Sequence, residues 1–229
     1  MPQQPLSRVR SNARVYDSPD AIERRPELAR LLGLAIGTWA EIEVRLILIL
    51  TAVLKTSAAA AVAMVQISKS SRMQMNLINA AGINSLVDPE LELFEAIMRI
   101  AGRLVDKRNL LAHDIWGHCD ELPDALLRIE TAAAIKVMIN YERLLRDNVS
   151  IPMPPDQHPD LRIDPKQVWV YRKKDFEEII EEMNKLRFFI TSMHHFAAGS
   201  PTRGVIASLL NNEPLLQQEL LRVRAGRQK

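Results

Sequence analysis

The chain has 229 residues, 47% hydrophobic and 25% charged, and its 30 Lys and Arg against 28 Asp and Glu leave a formal net charge of +2. These proportions exclude a disordered or collagen-like chain and predict one folded core with additions. A single cysteine, Cys119, excludes an intrachain disulfide and a multi-cysteine zinc module, and so small a net charge gives no compositional case for nucleic-acid binding.

The first twenty residues hold arginines and prolines but no apolar run long enough for a secretory signal, so a cytoplasmic protein is expected. Residues 1–25 read as an N-terminal arm whose Arg8, Arg10 and Arg14 are expected to be solvated. Pro26 suits a first helical position, and Leu28, Leu32, Ile36, Trp39, Glu43, Leu46, Leu50 and Val53 follow helical spacing, which predicts a helix over 26–55. Its apolar stretch nearly reaches the length of a membrane span, but Glu41, Glu43 and Arg45 in the middle make it a core helix, and no membrane contact is expected.

A second helical region starts after Ser57 and ends near Gly82, with the serines at 68–71 as a break. Asp88 followed by Pro89 predicts an N-cap, and Leu91, Phe94, Ile97, Ala101, Leu104, Arg108 and Leu111 continue one helical face. Residues 120–172 read as an irregular insertion. Within it 125–129 is a strand or a helix start, 132–146 is helical, five prolines fall between Ile151 and Lys166, and 168–171 pairs as a short β-hairpin with 126–129. Asp175 with Glu178 has the form of a capping box opening a helix over 176–197, and residues 199–229 form a helical tail rich in arginine at Arg222, Arg224 and Arg227. The expected class is all-α, an antiparallel bundle over 26–198 carrying the insertion.

The most informative segment is Arg108-Asn109-Leu110-Leu111-Ala112-His113, followed by Asp114 and by Trp116-Gly117. An Arg and a His at this spacing are weak alone, and the context of an amphipathic helix carries the argument. The pattern resembles the HEPN superfamily, named for higher eukaryote and prokaryote nucleotide-binding proteins, whose mark is an Arg followed by a polar residue and, four to six residues on, a His. An early helix with Trp39 and Glu43, a broken second helix, the motif helix and a last helix after Asp175 are similar to that family's bundle. The resemblance covers roughly 26–117 and 175–198 and leaves the insertion and the tail unexplained. It implies a homodimer that brings two motifs together, in many members as a metal-independent endoribonuclease. Ile115 stands where the HEPN partners of minimal nucleotidyltransferases carry a tyrosine, so their tyrosine-modification mechanism is not expected.

On a continuous helix five residues put Arg108 and His113 about 140° apart, whereas Asn109 and His113 face the same way. Either the helix ends within the motif or groups from two chains complete one site. RNA cleavage needs a base, an acid and positive charge at the developing phosphorane, which makes His113 the base or acid, Arg108 the phosphate clamp and Asn109 the orienting group. Glu43, Asp114 and Trp116 are the supporting candidates, Glu43 as an ion-pair partner of Arg108.

His113, His118 and Cys119 match no zinc spacing, and no phosphate loop, nucleophile elbow or His-Glu-x-x-His sequence occurs, so no metal and no cofactor is expected. Trp39 and Trp116 read as core or interface aromatics. Two function readings follow. The first is a HEPN-like ribonuclease of toxin or defence type that acts on RNA and has a cognate antitoxin or partner protein. The second is a non-catalytic dimer of the same fold that binds a partner protein or nucleotide.

Overall fold

The structure, a computed structural model, describes residues 3–17, 20–68, 70–147, 158–201 and 203–227, with side chains for all of these except 160 and 203. Among them are ten helices and a small four-stranded antiparallel sheet, so the expected helical class holds with the sheet as an addition. In chain order they are β1 (Gln4–Pro5), α1 (Leu6–Val9), α2 (Asp20–Glu23), α3 (Pro26–Leu54), α4 (Ala58–Ile67), α5 (Ser71–Ser85), α6 (Glu90–His113), β2 (Ile115–Gly117), β3 (Ala125–Ile129), α7 (Thr131–Arg146), β4 (Val168–Arg172), α8 (Lys173–Ala197), α9 (Arg203–Asn211) and α10 (Pro214–Arg227). No single helix among the described residues is long and apolar enough to cross a membrane. Only α3 and α4 together meet that length and composition, across a 118° bend.

The helix boundaries follow local chemistry. Lys55 takes a left-handed φ of 50° and the Thr56 N–H donates to the Thr51 carbonyl, which closes α3 at the residue that follows Leu54. Ser57 caps α4 by accepting from the Ala60 N–H at 3.2 Å, and Ser70 caps α5 from the Met73 N–H at 3.3 Å, so the serine cluster does separate two helices. Two expected caps differ. Helix α6 begins at Glu90, and the Asp88 carboxylate accepts instead from Arg227 at 2.7 Å. Helix α8 begins three residues earlier than the capping-box reading, at Lys173, and Asp175 reaches back to the Arg172 N–H at 2.7 Å. Asp175 thus plays the third-residue acid of the box rather than its N-cap.

The chain divides into two compact units, residues 1–36 with 109–179 and residues 37–108 with 180–229. The first unit holds the sheet, in the order β1-β4-β3-β2. The two β-rich runs do pair antiparallel, with Leu126 opposite Tyr171 and Leu127 opposite Val170, but α7 lies between them in sequence, so they form neighbouring strands of a sheet rather than a hairpin, and β2 adds to them with Trp116 opposite Arg128. The stretch read as an arm also joins the sheet. Gln4 pairs with Val170, Leu6 is fully buried, and Tyr16 bridges His118 through two backbone hydrogen bonds of 2.9 and 3.0 Å. Strand β3 is buried along its whole length, and its Ala125, Leu127 and Ile129 share a core with Leu6, Cys119, Ala133, Ala134, Val168 and Val170. Of the five insertion prolines, Pro152, Pro154 and Pro155 lie outside the described residues, while Pro159 and Pro165 open short 3-10 turns around the buried Leu161. The insertion is therefore regular over 125–129, 131–146 and 168–172, where its strands and α7 bury apolar faces.

In the second unit the buried residues repeat at helical spacing: Trp39, Ile42, Leu46, Ile49 and Val53 on α3, Phe94, Ile97, Ala101 and Leu104 on α6, and Met183, Leu186, Phe189, Ile190 and Met193 on α8. The arginine-rich tail is not a free cluster. Glu219, only 1% exposed, accepts from Arg103 at 2.6 Å and from Arg222, while Arg224 pairs with Glu92 and Arg227 with Asp88 and Glu95. These pairs fasten α10 along α6.

Candidate functional site

The motif occupies the last turns of α6, and the helix is unbroken through His113. Of the two alternatives open from the sequence, the helix ending inside the motif is thereby removed. Arg108 and Asn109 are half-buried, Leu111 is buried, and Leu110, Ala112 and His113 are exposed. The division between the two units falls between Arg108 and Asn109, so Arg108 belongs with the second unit and the rest of the motif with the first.

The end of α6 is held by groups distant in sequence. A helix leaves its last carbonyls without helical partners. Here the Trp116 indole N–H donates to the Leu111 carbonyl at 3.1 Å, and the Asp114 N–H donates to the Leu110 carbonyl at 3.3 Å. The Thr131 hydroxyl lies 3.1 Å from both the His113 carbonyl and Asp114 Oδ1, with one proton to give. Asp114 in turn accepts from the Thr131 N–H at 3.4 Å and pairs with the Arg128 guanidinium. Glu130, the residue before α7, makes no cap of its own and accepts from the Trp169 indole instead. The carboxylate at the end of α6 therefore caps the start of α7.

Arg128 is the site residue that sequence reasoning missed. It sits among apolar neighbours in β3, with its guanidinium carbon 5.5 Å from the centre of the Trp169 ring. A lone arginine inside Ala125-Leu126-Leu127-Arg128-Ile129 was the available signal, since a buried cation demands a partner. Burial pushes the neighbouring Tyr171 phenol above its ordinary range, and Arg128 opposes that shift. Trp116 packs edge-on to Tyr171 at 5.4 Å and against Phe176 at 5.9 Å. Both Trp39 and Trp116 are buried, as expected of packing aromatics.

Glu43, in the second unit, is half-buried, and its Oε1 accepts from the Trp39 indole at 2.8 Å and from the Ser71 hydroxyl at 3.3 Å. It lines a small pocket of about 200 Å³ with Val44, Val65, Gln74 and Met75. Its carboxylate therefore joins α3 to α5. His118 is buried and stacked on Tyr16 at 5.1 Å, and burial, followed by Arg24, holds its imidazole below the ordinary value. Among the described residues no three His, Cys, Asp or Glu side chains gather as a metal-binding group.

A larger cavity of about 1270 Å³ lies in the first unit. Residues 11–17 form one wall, Ile115 and the α7 residues Ala134, Ile135, Met138 and Tyr141 a second, and residues 161–165 a third. Ile115 is two residues beyond His113, and α7 begins at the Thr131 that touches the His113 carbonyl. No protein-family model, curated protein or solved structure matches the chain.

Proposed function

We propose that the chain is a HEPN-like endoribonuclease acting as a homodimer in the cytoplasm, of the toxin or defence type that a cognate antitoxin or partner protein restrains. The observation that carries this reading is the complete Arg-Asn-x-x-Ala-His pattern on unbroken helix, with His113 exposed at an end that Trp116, Thr131 and Asp114 hold in place. Such anchoring suits a proton-transfer group, whose efficiency depends on fixed geometry. With Arg108 and His113 about 140° apart on that helix, the reading calls for a second copy to complete the set.

In this mechanism one His113 takes the proton of a ribose 2′-hydroxyl as its oxygen bonds to phosphorus. Arg108 offsets the charge that builds on the phosphorane oxygens. The bond from phosphorus to the 5′-oxygen breaks, and that oxygen leaves with a proton from the His113 of the second copy. The products are a 2′,3′-cyclic phosphate and a 5′-hydroxyl, and the reaction needs no divalent metal. Asn109, on the same face as His113, orients the imidazole or the substrate. The test is incubation of the purified protein with mixed cellular RNA in excess chelator, with end-group analysis of the fragments. Chelator-resistant cleavage leaving cyclic phosphates supports the reading. Cleavage that requires metal refutes the mechanism, and no cleavage of any RNA favours the non-catalytic dimer.

A further inference from the structure

The small pocket between α3, α4 and α5 in the second unit has a lining that points to one kind of ligand. Ile47, Val65, Met75 and Ile78 make it apolar, and Glu43 is the one charged side chain among the described residues that line it. Glu43 is half-buried, and its hydrogen bonds from the Trp39 indole and the Ser71 hydroxyl both fall on Oε1. No Lys, Arg or His among the described residues pairs with it. The side-chain donors of the lining are already engaged, Trp39 and Ser71 on Glu43 and the Gln74 amide nitrogen on the Ser68 carbonyl at 3.5 Å. What remains is one negative charge with acceptors around it, namely Glu43 Oε2, the Ser71 oxygen and the Gln74 side-chain carbonyl. An anion meets repulsion there, and a hydrocarbon would strip water from the carboxylate without replacing it. Calcium or magnesium needs about six oxygens, and no three His, Cys, Asp or Glu side chains gather among the described residues.

We propose that this pocket binds a small primary ammonium carried on an apolar body, with Glu43 as its counter-ion and Ser71 and Gln74 as further acceptors. Such a head group brings one positive charge and three N–H donors, which is what the lining lacks. The volume sets the body: an apolar cavity of about 150 Å³ takes a benzene ring, so about 200 Å³ takes one ring, or a chain of similar bulk, with its aminomethyl group. The site is independent of the ribonuclease reading, since no residue of the motif lines it.

The experiment titrates the full chain, isotope-labelled at its methionine methyl groups, with benzylamine at neutral pH and follows the methyl resonances. The expected result is that the Met75 methyl shifts and saturates in the millimolar range or below, while that of Met138 on α7 stays in place. Benzyl alcohol, the same body without the charge, should bind about tenfold more weakly or worse, because it loses a charge-assisted hydrogen bond. Glu43→Gln should weaken benzylamine by a similar factor, although its amide oxygen still accepts from Trp39 and Ser71. Lysine blocked at both backbone ends presents the same head group as a protein would. Tighter binding of it than of benzylamine keeps the ammonium site and assigns the ligand to a partner's lysine side chain. No shift at Met75 with either amine overturns the proposal, as does equal binding of amine and alcohol or unaltered binding by Glu43→Gln. The comparison of amine with alcohol uses the wild type alone, so it decides even where the variant fails to fold.

Discussion

Asp114 and Arg128 form an ion pair with side chains only 14% and 6% exposed, and the same carboxylate accepts from the first N–H of α7. One aspartate thus joins the end of the motif helix, the middle strand of the sheet and the start of the next helix. Removing either partner leaves a buried charge, so Asp114→Ala and Arg128→Ala should each cost about 3–5 kcal/mol in urea denaturation. The double variant Asp114→Leu with Arg128→Met should lose less than either single change, because no orphan charge remains. A larger loss in the double variant would show that the cap on α7 outweighs the buried charges.

Helices α5 and α6 meet at Gly82, where an added Cβ would stand 2.1 Å from Phe94 Cε1. Gly82→Ala should therefore destabilise by about 1–3 kcal/mol despite alanine's better helix propensity. Combining it with Phe94→Leu should cost less than the sum of the single changes, because the shorter side chain yields the space. Thermal melts of the four proteins measure this coupling.

His118 gives a pH dependence of defined sign. Burial and the Arg24 and Arg25 guanidinium groups lower its folded value below the ordinary 6.5, against the smaller opposing pull of Asp20 and Asp120. The unfolded chain therefore binds the proton more readily, and stability rises with pH in that window. The contribution is complete above about pH 6.5, falls as the pH drops toward the folded value, and levels off below it. Urea midpoints of wild type and His118→Gln across this range should differ in slope, with the variant flatter.

His113→Ala and Arg108→Ala should each lower RNA cleavage about a hundredfold or more, the first by removing proton transfer and the second by removing charge at the phosphorane. Circular dichroism should show both folded, since His113 is exposed and Arg108 lies only one turn from the helix end. Activity that survives both changes would refute the assigned roles.

The proposed shared site requires two chains, so on that reading sedimentation at micromolar concentration should give a dimer. An excess of His113→Ala chains mixed with wild type should then lower cleavage below that of the same amount of wild type alone, because a mixed dimer keeps only one of the two imidazoles the reaction uses. A monomer that cleaves RNA would exclude the shared site.

Much of the helical framework was legible because helix formation is local. Apolar spacing, Pro26 at a start, serines at 57 and 70 and the two β-rich runs at 126–129 and 168–171 are signals carried within a few residues. The same locality explains the error at α8. Both Arg172 and Asp175 can be read as the start of that helix, and only the Arg172 N–H donating to Asp175 decides between them.

Whether the helix runs on through the motif was left open by the local pattern, and neither the exposure of His113 nor its anchors could be read there. Thr131 and Arg128 reach the motif across a change of chain direction, and no spacing rule brings position 113 or 114 to them. The sequence by itself determined the helices, their apolar faces and the residues with chemistry to offer. Only the tertiary structure decided that residues 4–17 would complete the sheet, that the tail arginines would pair with Asp88, Glu92, Glu95 and Glu219, and that residues 11–17, α7 and residues 161–165 would enclose a cavity. The physical reason is that caps, ion pairs and cavities depend on distances through space, which the chain sets only when its apolar faces have packed.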